Sequence, residues 1–432
     1  MGQDDVSFPV PRKTASCEYE HQRFVLKKKS FDQQYSHMYV SRLRALEPQV
    51  RANIPQSSAH VPILPKIIDL SAGDQCVVIG TIFRVLAKKP NILDEFVVDE
   101  VLVLQEESTC LASDADQLLL EDESGRVALF GNIRMEELVT GVVVGLQGEM
   151  REDGDGFHVM HVFTPTLPPQ LPLPNRTDDA YVALVSGLEM GSDACDPAKT
   201  SLLVDYLAGR VGTRDEKIFV SSIVRCIVAG NTISKPAKDT HTLPKASVAA
   251  LAQPLEHIDA LLSTLTSTMP VDIMPGAFDP SNFTLPQQPL APCLFRQTMQ
   301  TTACHMLPNP MQLQMDSVRF VGTSGQNVDS IGQCCTGLSP LQRLEAIVKW
   351  RHLAPTAPDI LACYPMPLED LFVVDDMPHV LFAGNQPSFQ SSVVQGEGGQ
   401  VTRVIAVPSF VHTGVVVLVN LRDLSVVPLT FQ

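Results

Sequence analysis

The sequence predicts a small closed β-barrel joined by a proline-rich segment to a larger mixed α/β domain, and three observations carry that expectation. Between residues 62 and 165, short apolar stretches follow one another without a long helix. Two pairs of them flank hairpin signals, Asp122-Glu123-Ser124-Gly125 and Asp153-Gly154-Asp155-Gly156. Five prolines then fall at positions 165, 168, 169, 172 and 174, which reads as a stiff extended linker and a domain boundary. Beyond it, apolar strands alternate with helical and looped stretches, the pattern of a layered sheet with helices on its faces.

Taken in order, residues 1–22 are polar and without periodicity and read as a disordered tail. Lys27-Lys28-Lys29 reads as a solvated approach to a helix, with a nuclear signal as the alternative. Phe31, Tyr35, Met38, Arg42 (by its stem) and Leu46 recur at helical spacing, and Pro48 is expected to end that helix. Strands are expected at 76–85, 95–104, 117–121, 126–130, 142–150 and 157–163, enough for a barrel of the OB type, with a two-sheet sandwich as the alternative topology. After the linker, strands are expected at 181–188, 223–230, 271–274 and 379–383. A helix is expected over 247–267 with Pro254 delaying its start, and antiparallel strands at 403–408, 415–420 and 425–431. Residues 234–244 read as a surface loop. The expected division is a 1–22 tail, a 23–175 helix and barrel, and a 176–432 α/β domain.

Bulk composition bounds the function. With 432 residues, 44% hydrophobic and 19% charged, the chain suits two globular domains. No run of 18 apolar residues occurs, and acidic residues and prolines stand where a signal peptide needs an apolar core. Gln3-Asp4-Asp5-Val6 is a poor context for myristoylation of Gly2. Ten cysteines without a Cys-x-x-Cys pair fit a reduced, intracellular protein without a zinc ligand set. A net charge of −16 argues against a protein that holds DNA by itself, since phosphate neutralisation supplies most non-specific affinity. The barrel sharpens the point: residues 91–125 hold eleven Asp or Glu and no Lys or Arg. Phe96 and Phe130 are the candidates for stacking bases there, but a protein-binding barrel is favoured over a single-stranded DNA-binding module.

The strand ends of the second domain carry short Gly-containing signatures spread over about 200 residues. That layout belongs to two-metal phosphoesterases, which need Asp-x-His, Gly-Asp, Gly-Asn-His, a further His and Gly-His-x-His to hold two cations and activate water. Here the glycines and strands persist and the ligands do not. Gly187 and Glu189 occupy the first site and Asn231 takes the place of the bridging Asp. Ala277 and Phe278 replace Asn-His, residues 322–327 hold no His, and Asn385 and Pro387 replace the last pair of histidines. A neutral amide neither carries the charge nor bridges two cations, so no catalytic residue, metal or cofactor is expected.

Several runs carry a family resemblance: Val185-Ser186-Gly187-Leu188, Val228-Ala229-Gly230-Asn231, Pro270-Val271-Asp272-Ile273-Met274-Pro275-Gly276, Thr284-Leu285-Pro286-Gln287-Gln288-Pro289-Leu290, Gly322-Thr323-Ser324-Gly325-Gln326-Asn327 and Arg351-His352-Leu353-Ala354-Pro355-Thr356. From about Phe31 onward the chain resembles the small regulatory subunits of eukaryotic replicative DNA polymerases, and the Thr-Leu-Pro-Gln-Gln-Pro-Leu run favours the delta members over alpha and epsilon. The resemblance implies an OB domain packed on a four-layer, calcineurin-like phosphoesterase sandwich that has lost its metals, whereas archaeal relatives look active. It further implies a nuclear, non-catalytic subunit of DNA polymerase delta that binds the cysteine-rich C-terminal domain of the catalytic subunit and bridges it to a third subunit. DNA and repair synthesis would be reached only through that complex. Residues 1–22, 336–348 and 395–402 lie outside the matching runs.

The remaining candidates have plain readings. His352 is expected as a structural hydrogen-bonding residue without a carboxylate partner. Asp279 and Asp359 are read as turn caps, and Trp350 as a core or interface residue. The enzyme alternative is a phosphodiesterase or 3′-nuclease that uses Glu189, Asp272 and His352 as non-standard ligands.

Overall fold

The computed structural model describes residues 11–55, 61–89, 110–152, 154–235, 245–366 and 368–432. The chain opens with β1 (Cys17–Tyr19) and α1 (Ser36–Ala52). It continues through β2 (Ile63–Leu64), β3 (Gln75–Val85), β4 (Gln117–Glu121), β5 (Arg126–Gly131), β6 (Val143–Met150) and β7 (Phe157–Phe163). Strands β3, β4, β5, β7 and β6 pair in that order, and β6 pairs again with β3, so five strands close on themselves. Closure is what the alternation asks for: Leu118, Leu120, Val127, Leu129, Phe157 and Val159 fill the interior. β5 and β7 run parallel, with Leu129 opposite Phe157, while their other neighbours are antiparallel. The barrel is therefore the topology adopted, not the two-sheet sandwich. The strand expected at 95–104 and Phe96 fall outside the described residues.

Helix α1 buries Met38, Arg42, Leu46 and Val50 at four-residue spacing, and Leu46 and Val50 lie on Ile79 of β3 and Val143 of β6. Pro48 does not end it. The helix runs on to Ala52 because Pro48 and Arg44, whose carbonyl the proline strips of its partner, are both on the exposed face where water serves that oxygen. Arg42 buries its guanidinium as well as its stem. The tail expected over 1–22 also needs correction for its described part. Cys17–Tyr19 pairs antiparallel with Leu313–Met315, and the Arg12 guanidinium donates to the carbonyls of Val220, Ile223 and Leu207. Carbonyls at element ends needed donors, and this segment supplies them.

After the linker come β8 (Tyr181–Val185), α2 (Pro197–Leu207), α3 (Arg214–Ser221), β9 (Ile223–Ala229), α4 (Lys245–Thr266), β10 (Val271–Met274), β11 (Cys304–Met306), β12 (Met311–Met315) and β13 (Val318–Thr323). They are followed by α5 (Gln326–Cys334), α6 (Pro340–Trp350), β14 (Val380–Gln386), β15 (Gln390–Gln395), β16 (Val401–Pro408), α7 (Phe410–Thr413), β17 (Val415–Asn420) and β18 (Val426–Thr430). One sheet has the order β11-β10-β9-β8-β17-β18 and the other β1-β12-β13-β14-β16-β15. Period-two alternation splits each strand between two cores. Val182, Leu184, Phe320, Phe382, Ile405 and Val417 meet between the sheets. Ala183, Val185, Val228 and Ile273 face outward onto Leu203 of α2 and Ile258 and Leu262 of α4. On the far side Leu381, Ala383 and Ala406 face Val328 of α5 and Leu344 and Ile347 of α6. The result is helix, sheet, sheet, helix. Helix α4 starts at Lys245 and passes through Pro254 without delay.

The proline segment is not a free spacer. Gln170 donates through Nε2 to the Val401 carbonyl (2.8 Å) and accepts from the Val401 N–H at Oε1 (2.8 Å), taking the place of a neighbouring strand. His379 Nε2 lies 2.9 Å from the Leu171 carbonyl. The barrel and the second sheet also share one continuous core, in which Leu138 and Val139 join Cys334, Ile347 and Trp350.

Candidate functional site

Strands β8, β9 and β10 run parallel in one sheet and β13 and β14 in the other, so the loops that leave them gather at one edge. All five segments that should carry metal ligands are brought together there. Gly187 N–H donates to the Gly230 carbonyl (3.0 Å) and Glu189 N–H to the Asn231 carbonyl (2.9 Å). Phe278 N–H donates to Asn231 Oδ1 (3.2 Å). Asn385 Nδ2 reaches the carbonyls of Ala229 (3.2 Å) and Ser324 (2.8 Å), tying the two sheets across their seam. Its N–H donates to Ser186 Oγ (2.9 Å), whose hydroxyl donates to the Pro408 carbonyl (3.0 Å). Ala277 and Pro387 are exposed, and Phe278 is half-buried with Lys235 Nζ 6.0 Å from its ring centre.

Most polar side chains of this edge are neutral and engaged with neighbouring loops, while Asn385 Oδ1, Gln386 Oε1 and Thr323 Oγ1 are buried without a partner. Ser324 Oγ donates to the Pro275 carbonyl (2.6 Å), and Asn309 Oδ1 accepts from Ser324 N–H (3.1 Å). Gln287 Oε1 takes both Asn309 Nδ2 and Gln326 Nε2 at 2.8 Å. The loops touch backbone to backbone: a Cβ on Gly230 would stand 2.7 Å from Gly276 Cα and from Ser324 Oγ. Asp279 is turned into the protein, where its carboxylate accepts from the N–H groups of Gly276 (2.8 Å), Thr232 (2.8 Å) and Ile233 (3.2 Å) and from the Thr232 hydroxyl. Burial raises its carboxyl above the usual range against those four bonds. Glu189 is half-buried and likewise raised by burial, with His412 opposing. Among the described residues, no three His, Cys, Asp or Glu are grouped to hold a metal ion. Three non-glycine residues of these loops, Glu189, Asn231 and Asn385, keep left-handed backbone with φ of 44°, 51° and 57°.

The alternative ligand set is not assembled. Asp272 is fully buried against Arg225 (2.8 and 3.0 Å) and the Tyr19 hydroxyl (2.9 Å). His352 does have a carboxylate partner, contrary to expectation: its Nε2 lies 2.9 Å from Asp370 Oδ2. Arg42 Nε reaches the same oxygen (2.7 Å), and its other nitrogens serve the carbonyls of Gly141 (3.1 Å), Pro355 (2.9 Å) and Ala357 (2.8 Å). Burial and the Arg42 charge together lower the His352 imidazole to about 4. Burial alone would raise Asp370; Arg42 and His352 overcome it and hold the carboxyl well below the usual range. The Arg42–Asp370 ion pair and the neutral His352 bonded to it bolt α1, the barrel and the 352–370 loop together, so His352 is structural. Asp359 pairs with Lys89 (2.7 Å) and Trp350 lies in the core at the barrel junction. On the barrel, Phe130 is partly exposed, with Gly156 against its ring and the Arg151 guanidinium 5.5 Å from the ring centre. The Ser186, Gln287, Asn309 and Ser324 network is invisible in the sequence because such residues carry no spacing signal.

A family model for the second (B-type) subunits of DNA polymerases alpha and epsilon matches residues 182–391, and one for the DNA polymerase delta subunit OB-fold domain matches residues 34–162. The DNA polymerase delta small subunit of Oryza sativa subsp. japonica is 38% identical over 98% of this chain and 99% of its own length. The chain belongs to the DNA polymerase delta small-subunit family. The small subunit of Arabidopsis thaliana is also 38% identical, over 98% of this chain and 96% of its own length. DNA polymerase delta subunit 2 of Drosophila melanogaster is 35% identical over 93% of this chain and 94% of its own length. The delta-family OB match spans α1 and the closed barrel, and the alpha/epsilon match spans the loops of the edge just described.

Proposed function

We propose that the chain is a non-catalytic accessory subunit of the DNA polymerase delta holoenzyme, acting in replication and repair synthesis in the nucleus. On this reading residues 23–175 form the helix-and-OB unit and residues 176–432 a calcineurin-like phosphoesterase unit whose metal site has been lost. Gly187, Glu189, Asn231, Ala277, Phe278, Asn385 and Pro387 are then its vestigial positions. The observation that carries the reading is the edge itself. The five ligand-bearing loops still converge and three keep left-handed non-glycine backbone. Yet the groups at their tips, Glu189 apart, are neutral, and Asn231, Ser324 and Asn385 hydrogen-bond the backbone of neighbouring loops. A two-metal centre needs carboxylates and imidazoles free to bind; these loops hold a scaffold together.

The chain's contribution is thus surface: it tethers the cysteine-rich C-terminal domain of the catalytic subunit and a third subunit, and meets DNA only through the complex. Tagged chain mixed with each partner is the test. An Ala277→Asn/Phe278→His double variant, made where Ala277 is exposed and Phe278 half-buried, should capture both as wild type does, and elemental analysis should give no stoichiometric metal. A well-folded chain that binds neither partner at micromolar concentration would make the accessory reading wrong.

A further inference from the structure

The loop after β10 displays a phenylalanine to solvent on a rigid support. Phe283 is 77% exposed, although its loop is closed on both sides by side-chain bonds. Ser281 Oγ donates to the Gln288 carbonyl (2.6 Å), Asn282 Oδ1 accepts from Gln288 N–H (2.7 Å), and Asn282 Nδ2 donates to the Thr284 carbonyl. The base of that loop is fastened to the segment preceding α1: Gln288 Oε1 accepts from Leu26 N–H (2.9 Å) and its Nε2 donates to the Phe24 carbonyl (3.0 Å). A few residues on, that segment carries Lys27, Lys28 and Lys29, all exposed, and then Phe31, which is 60% exposed. Phe31 stacks one face on Tyr364 at 4.9 Å, and Tyr364 N–H in turn donates to the Leu285 carbonyl (2.8 Å). Two exposed rings and three lysines therefore stand on one hydrogen-bonded loop cluster. Among the described residues Lys28 pairs only with Asp32, at 3.5 Å in open solvent, and Lys27 and Lys29 hold no ion pair. A chain of net charge −16 that keeps such a run of cations beside exposed rings carries a local potential opposite to its own mean.

We propose that this cluster docks a short segment of a polymerase partner subunit that carries carboxylates flanking an apolar side chain. The apolar side chain packs on Phe283 and the carboxylates meet Lys27, Lys28 and Lys29. Because the loop is braced, Phe283 loses little freedom on binding, which is what makes an exposed aromatic an anchor. The charge pattern selects a short peptide over single-stranded DNA. A strand needs a cationic track under some four or more nucleotides, whereas three lysines within roughly one Debye length of about 10 Å suit a segment with two or three carboxylates. The proposal rests on the accessory-subunit reading and names the residues that reading leaves open.

The test titrates purified catalytic subunit, and separately the third subunit, against the full chain. The variants are Phe283→Ala, Phe283→Tyr, a Lys27→Glu/Lys28→Glu/Lys29→Glu triple, and Ile218→Asp as an exposed control on α3, at the opposite ends of the strands. An unlabelled dT30 oligonucleotide is a third ligand, and circular dichroism with thermal melting checks each fold. For one partner, Phe283→Ala should weaken binding by about 30-fold or more and Phe283→Tyr should restore it. The lysine triple should weaken it by about tenfold at low salt, a difference that shrinks as salt rises, and Ile218→Asp should match wild type. If wild type binds both partners and every variant binds within about threefold of it, the docking surface is wrong and the accessory reading stands. If the variants abolish dT30 binding and spare both partners, the cluster is a nucleic-acid site and the proposal falls. Wild type that binds neither partner overturns both readings together.

Discussion

Replacing Arg42 with Met keeps a long apolar stem in the same groove and removes only the guanidinium. The wild-type side chain is wholly buried and makes one ion pair and three hydrogen bonds to carbonyls from two parts of the chain. Taking away one partner of such a pair leaves the Asp370 carboxylate buried with His352 and a backbone N–H alone, which costs about 3–5 kcal/mol. The unfolding entropy is about 2.1 cal/mol/K per residue, so a chain of this length changes by roughly 0.9 kcal/mol per degree and its midpoint should fall by about 3–6 °C. The pH dependence gives an independent reading. His352 titrates at about 4 in the fold against about 6.5 unfolded. The unfolded chain therefore binds the extra proton between those values, and stability is lost as pH falls through that window, by about 3 kcal/mol in all. Without the Arg42 charge the imidazole protonates beside Asp370 more easily, so the variant should lose less between pH 6.5 and 4. Differential scanning calorimetry at pH 7 and 5 measures both. A midpoint within about 1 °C of wild type at pH 7, or an acid limb as steep as wild type, refutes this account of the junction.

Other substitutions test the edge and the junction. Gly230→Ala should destabilise the fold by about 1–3 kcal/mol, because the new Cβ meets Gly276 Cα and the residue sits at φ of 83°; urea unfolding reads it. Asp279→Ala strips three N–H groups and a hydroxyl of their acceptor and should cost about 2–4 kcal/mol, again seen in the urea midpoint and with no change in metal content. Residues 23–175 and 176–432 expressed separately should aggregate and become soluble on co-expression, because the core under α5 and α6 is shared with the barrel. Size-exclusion chromatography separates these outcomes, and two monomeric, cooperatively melting halves would contradict the shared core.

Strands are the legible part of this chain. Residues 117–121, 157–163, 271–274 and 415–420 are expected as strands and are strands with the same bounds, since each is a short apolar-rich run, and residues 117–121 and 157–163 flank hairpin turns. Helices α2, α3, α5 and α6 are short, so their apolar runs span too few turns to separate a helix from a strand, and for α2, α3 and α6 the clearer signal lies at the N-cap. Thr213 and Glu216 form a reciprocal capping box, Ser339 and Gln342 form another, and Asp196 caps α2 ahead of Pro197. Each is present in the sequence as a Ser, Thr or Asp before a proline or an acidic turn. The Arg42–Asp370–His352 triad is not legible at any spacing: its members are 328 and 18 residues apart, and only the folded chain says that a guanidinium at a helical core position has a carboxylate waiting.

On the proposed reading, the residues now at the strand ends bear on how a metal site is lost without its fold. Removing a carboxylate from a metal loop leaves carbonyls and N–H groups that the ion had organised, and buried groups of that kind must find partners. In this chain Asn385 and Ser324 bond backbone carbonyls across the seam between the sheets, and Asn231 accepts from the N–H of the neighbouring loop. On the proposed reading, the left-handed backbone at Asn231 and Asn385 is held by the bonds their amides make to neighbouring loops, and Glu189 shares that conformation. The outcome is an edge tied across the seam between the sheets. Rigidity is what a docking loop such as residues 281–288 requires of the structure beneath it: Gln287, inside that loop, donates to the Gly276 carbonyl (3.1 Å) and accepts from Asn309 and Gln326. The hydrogen-bond network of the strand-end edge thus also reaches the loop that carries Phe283.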